Sequence, residues 1–155
     1  MIIRPEELWF KIDEEDLVLI KPYKWFKQRN KNGGRYALAH VYRNGKRTSL
    51  YMHKLIMDSP KGMEIDHVNG DGWDNRKCNL RVCTRQQNTF NQHRVSPTTG
   101  YRGVYLKRNK NYYAGLEFNG KGVHLGIYKT AKEAAKAYNE GAKKYYGEFA
   151  YLNQI

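Results

Sequence analysis

The chain has only two cysteines, Cys78 and Cys83, in 155 residues. Two thiols cannot form a disulfide framework or fill a four-cysteine zinc site, so no structural zinc is expected. No apolar run approaches the roughly 18 residues of a membrane span, so no membrane partner is expected. Met1–Glu7 lacks the apolar core of a secretion signal, which points to a cytoplasmic protein. Acidic residues are absent from positions 21–50, which hold nine basic ones. Mean hydropathy is low, at −0.87. Yet 40% of residues are hydrophobic and 14% aromatic, which excludes a disordered polar chain.

The formal charge is +13, and it is unevenly spread. Residues 1–20 carry a net −4, 21–50 a net +9, 51–95 a net +2 and 96–155 a net +6. Two basic segments therefore flank a nearly neutral one. Thirty residues without an acid favour a phosphate-binding surface over an ordinary solvated face, and nucleic acid is the leading class of partner.

Turn and cap signals outline the architecture. Asp13–Ile20 reads as a short helix capped by Asp13 and stopped by Pro22. Arg35–Arg43 and Lys46–Met52 read as strands, because Asn44-Gly45 suits the positive φ angles of a type I′ hairpin. A short helix over His53–Met57 follows. Glu64–Asn91 reads as strand, polar loop (Asp66–Asn79), strand and helix, with Thr84 as the helix cap. His93–Gly100 has linker composition. Beyond it, Arg102–Leu106, Tyr112–Phe118 and Val123–Tyr128 read as strands, with a second hairpin signal at Asn119-Gly120. Thr130-Ala131-Lys132-Glu133 is a capping box. Ala131, Ala135, Tyr138, Ala142 and Tyr145 then mark one helix face, and Gly147 closes it. Helical spacing with alanines makes that face core, not a stacking platform.

The chemistry concentrates at Asp66-His67, at the mouth of the polar loop, and at Asn88, one turn into the helix. A carboxylate and an amide oxygen suit a hard divalent cation such as Mg²⁺. A neutral histidine, with an ordinary pKa near 6.5, can take a proton from water. Phosphodiester hydrolysis needs those parts. Asn91 lies on nearly the same helix face and is the alternative to Asn88. A calcium-loop reading of Asn69–Gly72 fails, because His67 and Cys78 stand where carboxylates are needed. His53 opens an apolar stretch and reads as structural or phosphate-contacting. Cys78 and Cys83 read as inert thiols.

Residues 53–92 resemble the HNH nuclease family, with its ββα-metal motif. The matching text is His53-Lys54-Leu55-Ile56, Glu64-Ile65-Asp66-His67-Val68-Asn69-Gly70-Asp71, Asp74-Asn75, Cys78-Asn79-Leu80-Arg81 and Thr84-Arg85-Gln86-Gln87-Asn88. It is close to the version in phage homing endonucleases whose last letter is asparagine. The resemblance implies that His67 is the general base, that Asp66 and Asn88 hold one metal, and that Asn79 braces the loop. Arg81 and Arg85 are then expected DNA contacts.

Residues 100–152 resemble the AP2 DNA-binding domain, through Tyr101-Arg102-Gly103-Val104, Asn119-Gly120-Lys121, Leu125-Gly126-Ile127-Tyr128, Thr130–Ala135, Ala137-Tyr138-Asn139 and Leu152-Asn153. That resemblance implies a three-stranded antiparallel sheet on one helix, laid in a DNA groove, with Arg102 as a contact. Tyr105, Asn109 and His124 depart from the family's contact positions. Lys107, Arg108, Lys110 and Lys121 remain as phosphate contacts.

The expectation is an α+β protein with an HNH nuclease domain over 1–92, a linker over 93–99 and an AP2-like domain over 100–155. The expected partner is double-stranded DNA, bound by a monomer, with a dimer as the alternative, that nicks it as a homing endonuclease of a phage or mobile element in a bacterial host. The competing class is a DNA-binding regulator without catalysis. RNA binding or cutting is a third.

Overall fold

The computed structural model describes residues 9–29 and 34–155. The expected absence of a signal core at Met1–Glu7 therefore lies outside the described residues, as does part of the basic 21–50 segment. The chain divides into two compact units, Met1–Asn88 and Thr89–Ile155.

Among the described residues of the first unit, a 3-10 turn over Glu14–Asp16 leads into α1 (Leu17–Ile20). Asp13 does not cap that turn through its side chain. Its carboxylate instead accepts a hydrogen bond from the Lys77 backbone at 2.7 Å, tying the N-terminal segment to the polar loop. Three antiparallel strands follow in the order β1 (Trp25–Arg29), β2 (Arg35–Arg43), β3 (Lys46–Tyr51). The β2–β3 turn takes the expected form, with φ of 50° at Asn44 and 72° at Gly45. Strand β1 went unread in the sequence. Trp25 lies opposite Ala39, and with Ala37 it faces the core.

Helix α2 (Met52–Met57) leads into the antiparallel pair β4 (Glu64–His67) and β5 (Leu80–Cys83), followed by α3 (Arg85–Phe90). Phe10, Ile12, Ile20, Ala37, Met52, Ile56, Ile65 and Leu80 form the core beneath them, joined by Trp9, Trp25 and Trp73. Full burial of each large apolar side chain contributes roughly 1.5–3 kcal/mol. Gly72 allows the polar loop to lie on β2, since a Cβ there would stand 1.6 Å from the Arg35 carbonyl oxygen.

The second unit is a three-stranded antiparallel sheet, β6 (Val104–Leu106), β7 (Tyr112–Phe118) and β8 (Lys121–Tyr128), with helix α4 (Ala131–Tyr146) packed on it. Thr130 and Glu133 make the reciprocal capping box. The buried face of α4 is Ala134, Ala135, Tyr138, Gly141, Ala142 and Tyr146. Tyr146, not the expected Tyr145, turns inward, where it stacks on Phe90 at 3.9 Å and donates its hydroxyl to the Glu117 carbonyl. Gly103, with φ of 67°, sits where a Cβ would overlap the Tyr138 ring. Residues 93–99, linker-like in composition, hydrogen-bond inside this unit: Gly100 N–H reaches the Ser96 carbonyl at 2.8 Å. Asn153 pins the C-terminal segment by bonding both the backbone of Arg102 and the side chain of Asn139.

Candidate active site

The polar loop between β4 and β5 is braced by side-chain amides and carboxylates together with backbone hydrogen bonds such as Val68 N–H to the Asn79 carbonyl. Asn79 accepts from the Asn69 backbone at 3.0 Å and donates to the Asp74 carbonyl at 2.7 Å. Asn69 donates to Asp74, and its own amide oxygen accepts from the Asp71 backbone in an Asx turn. Asp74 in turn takes two bonds from Arg76, at 2.8 and 2.7 Å, and these hold its carboxyl below the usual range. Asp74, Asn75 and Asn79 are all buried. Bonded in this way, Asp74 and Asn79 hold the loop in one geometry, while Asn75 Nδ2 is buried without a hydrogen-bond partner.

That bracing sets the position of His67, the last residue of β4. Its Nε2 lies 3.2 Å from Oδ1 of Asn75. With the amide oxygen facing it, Nε2 carries the proton and Nδ1 carries the lone pair. Burial holds the His67 pKa below its ordinary value, opposed first by the Asn75 bond and then by Asp66, Asp71 and Asp74. The imidazole is therefore neutral at pH 7. His53, on α2, packs edge-on against His67 at 5.0 Å, and Tyr36 and Tyr51 lie beside it. Burial, then the nearby His67 and Lys54, lowers the His53 pKa to about 3. Sequence reasoning missed Asn75 and Tyr36. Asn75 was visible only as part of Asp74-Asn75, beside the more prominent Asn79.

Alternation along β4 puts Glu64 and Asp66 on one face of the strand. Asp66 is buried, and its Oδ2 accepts from Nε and Nη2 of Arg81, the residue opposite it in register, at 2.9 and 2.7 Å. Arg81, expected as a DNA contact, is thus engaged at the site itself. Helix α3 starts with a reciprocal pair, Thr84 and Gln87, each bonding the other's backbone N–H. The next residue is Asn88, whose Nδ2 donates to Oε2 of Glu64 at 2.6 Å. Asn91, the alternative to Asn88, is buried and belongs to the second unit.

Asp66 and Asn88 are hard oxygen donors, and Oε2 of the neighbouring Glu64 is engaged by the Asn88 amide. The set fits a hard divalent cation. The one sulfur nearby, Cys83, lies opposite Glu64, and burial pushes its thiol up to about 11, so it is no thiolate ligand. Among the described residues, no three His, Cys, Asp or Glu side chains cluster as a metal centre on their own.

The remaining expected contacts are distributed as follows. Arg85 is exposed at the start of α3. Lys27, Arg29 and Arg35 gather over the Trp73 ring at 5.4, 5.7 and 5.0 Å, beside the polar loop. In the second unit Lys107, Arg108, Lys110 and Lys121 are exposed, and Lys107 lies over Tyr113 at 5.3 Å. Arg102 is held inside that unit, donating to the carbonyls of Thr89, Phe90 and Gln92. No helix among the described residues is long and apolar enough to cross a membrane.

Comparison with known proteins finds similarity at the β4–β5–α3 region and along most of the chain. Residues 58–90 match the family model described as HNH endonuclease. An uncharacterized HNH endonuclease of Acanthamoeba polyphaga mimivirus is 29% identical over 139 residues, covering 88% of this chain and 70% of the relative. The solved structure of the HNH homing endonuclease I-HmuI aligns with 23% identity and a TM-score of 0.38, over 76% of this chain and 69% of that one.

Proposed function

We propose that this chain, an endonuclease of the HNH family, hydrolyses one phosphodiester of double-stranded DNA at the β4–β5–α3 site. The observation that carries the reading is His67. It is buried, neutral, and donates Nε2–H to Asn75, so its basic atom is Nδ1. In this reading Nδ1 takes a proton from water as that water attacks phosphorus and the P–O3′ bond breaks. General-base help of this kind is worth about 10²–10⁴ in rate. Asp66 and Asn88 would hold a divalent cation, Mg²⁺ or Mn²⁺. When bound, it supplies positive charge against the phosphate and the departing 3′ oxygen. Asn79 acts through the loop it braces.

DNA is held by charge. The cations of the 21–50 segment and Arg85 serve the first unit, and Lys107, Arg108, Lys110 and Lys121 serve the second. We read residues 100–155 as an AP2-like DNA-binding domain, supported by the three-stranded sheet on one helix and by the motif text. One site per chain suits a monomer that nicks one strand, as a site-directed homing endonuclease of a phage or other mobile element in the cytoplasm of its host. The relative in a virus supports such an origin.

A supercoiled-plasmid assay with Mg²⁺, Mn²⁺ or EDTA, on a plasmid carrying the native locus, tests the reading. The expected result is metal-dependent open circle, absent in His67→Ala. Binding without conversion by any metal would leave a non-catalytic DNA-binding protein.

A further inference from the structure

We infer that Glu64 is a positioning residue of the cation site, selecting the one amide orientation in which Asn88 can act as a ligand. The inference rests on the proposed role of Asp66 and Asn88. An asparagine side chain can rotate by a half turn and exchange its oxygen with its NH₂. Only the oxygen can coordinate a cation, so an unguided amide presents the wrong group in part of its population. Glu64 removes that freedom. A carboxylate oxygen only accepts hydrogen bonds, so the group 2.6 Å from Oε2 must be the Asn88 NH₂. The Asn88 oxygen is then turned away from Glu64.

Two further observations support this role. Glu64 and Asp66 share a face of β4, so the residue that orients Asn88 sits beside the other proposed ligand. The charges on that face are also unequal. Asp66 is matched by Arg81 at 2.7 Å, while Glu64 has no ion pair among the described residues. The Glu64 carboxylate is therefore available to the Asn88 amide, while that of Asp66 is engaged by Arg81. The Thr84–Gln87 pair fixes the start of α3 and with it the distance from Asn88 to Glu64. Outer groups that orient ligands in this way typically change metal affinity by about 10–100-fold.

The test is Mn²⁺ binding to the DNA-free chain, followed by electron paramagnetic resonance of the free ion, beside a Mg²⁺ titration of nicking. Glu64→Ala is expected to weaken Mn²⁺ binding by about 10–100-fold. It should raise the Mg²⁺ midpoint by the same factor, with a smaller change in rate at saturating Mg²⁺. Glu64→Gln keeps an acceptor oxygen of the same reach and is expected to recover most of the affinity. The double variant Glu64→Ala/Asn88→Ala should bind no more weakly than Asn88→Ala alone, because the first residue acts through the second. Glu64→Ala with parental Mn²⁺ affinity overturns the inference. So does a Glu64→Gln variant as weak as Glu64→Ala, which would make Glu64 a charge source or a direct ligand. A parent chain that binds no Mn²⁺ and nicks with no metal overturns the Asp66–Asn88 reading itself, and the Glu64 inference with it.

Discussion

The two units place their polar residues in opposite ways. The first buries Asp16, His53, Asp66, His67, Asp74, Asn75 and Asn79, while the buried polar residues of the second, among those described, are Asn91 and Asn153. The second keeps Lys107, Arg108, Lys110 and Lys121 in water over a core of alanines, aromatic rings, Val104 and Leu116. Burying polar groups costs stability, the more so where an atom is left unbonded as at Asp16 Oδ2, His53 Nδ1 and Asn75 Nδ2, so a unit that buries seven is holding them for their geometry. Proton transfer from a reacting water needs that geometry. Attraction between a lysine and a phosphate does not, and works from a mobile, solvated side chain. The first unit is built to aim groups and the second to present charge.

The sharpest way to break that contrast is at His67. His67→Ala is expected to reduce nicking by at least about 10²-fold while leaving DNA affinity nearly unchanged, measured by plasmid conversion and gel shift. In the parent, the lowered His67 pKa sets the sign of the pH response. The His67 imidazole stays unprotonated down through the ordinary histidine range, so, with His67 as the proposed base, single-turnover rates should hold from pH 8 to about 6.5 and fall only below it. A rate already falling between pH 8 and 7 would mean that His67 is not the titrating base.

Asn75 comes next. Asn75→Ala removes the acceptor that orients the imidazole and leaves His67 Nε2 without that bond. Nicking should drop by about 10–100-fold. Stability should fall by about 1–3 kcal/mol, read by urea titration.

His53 gives a smaller effect, on stability alone. Its folded pKa of about 3 lies below the unfolded value near 6.5, so the unfolded chain binds the extra proton. This contribution is fully present above pH 6.5 and is lost progressively as pH falls from there towards 3. The groups packed around it are His67, Lys54, Tyr36 and Tyr51. At pH 5 the loss is about 2 kcal/mol. Urea midpoints of the parent and His53→Gln at pH 7 and pH 5 would show it as a weaker pH dependence in the variant.

The second unit should respond to charge rather than to geometry. Replacing Lys107, Arg108 and Lys110 together with alanine is expected to lower the slope of log affinity against log salt by up to about 0.9 per lost phosphate contact, with little change in stability. Arg102→Ala should behave in the opposite way. Its guanidinium bonds three backbone carbonyls, so the expected loss is in the melting temperature of this unit before it is in the salt slope. An unchanged melting temperature with a reduced salt slope would return Arg102 to the phosphate-contacting group.

Much of this molecule was legible one residue at a time. Asn44-Gly45 and Asn119-Gly120 specify their turns because both residues tolerate positive φ. Thr130 with Glu133 specifies a helix start because the two ends bond each other. Asp66, His67, Asn79 and Asn88 stood out because their order and spacing form a motif. In each case the information lies within a few residues or in residue type. Long-range partners were not legible in that way. The pairing of His67 with Asn75, of Asp66 with Arg81 and of Glu64 with Asn88 depends on how β4, the loop, β5 and α3 fold back on one another. The same limit explains α4, where periodicity admits either Tyr145 or Tyr146 as the last inward residue and Phe90 with the Glu117 carbonyl selects Tyr146. Sequence alone determined which chemical groups this protein carries and the local turns that present them. Only the tertiary structure decided which atom of each group is occupied and which is left to react, because hydrogen-bond partners are chosen by packing across the fold.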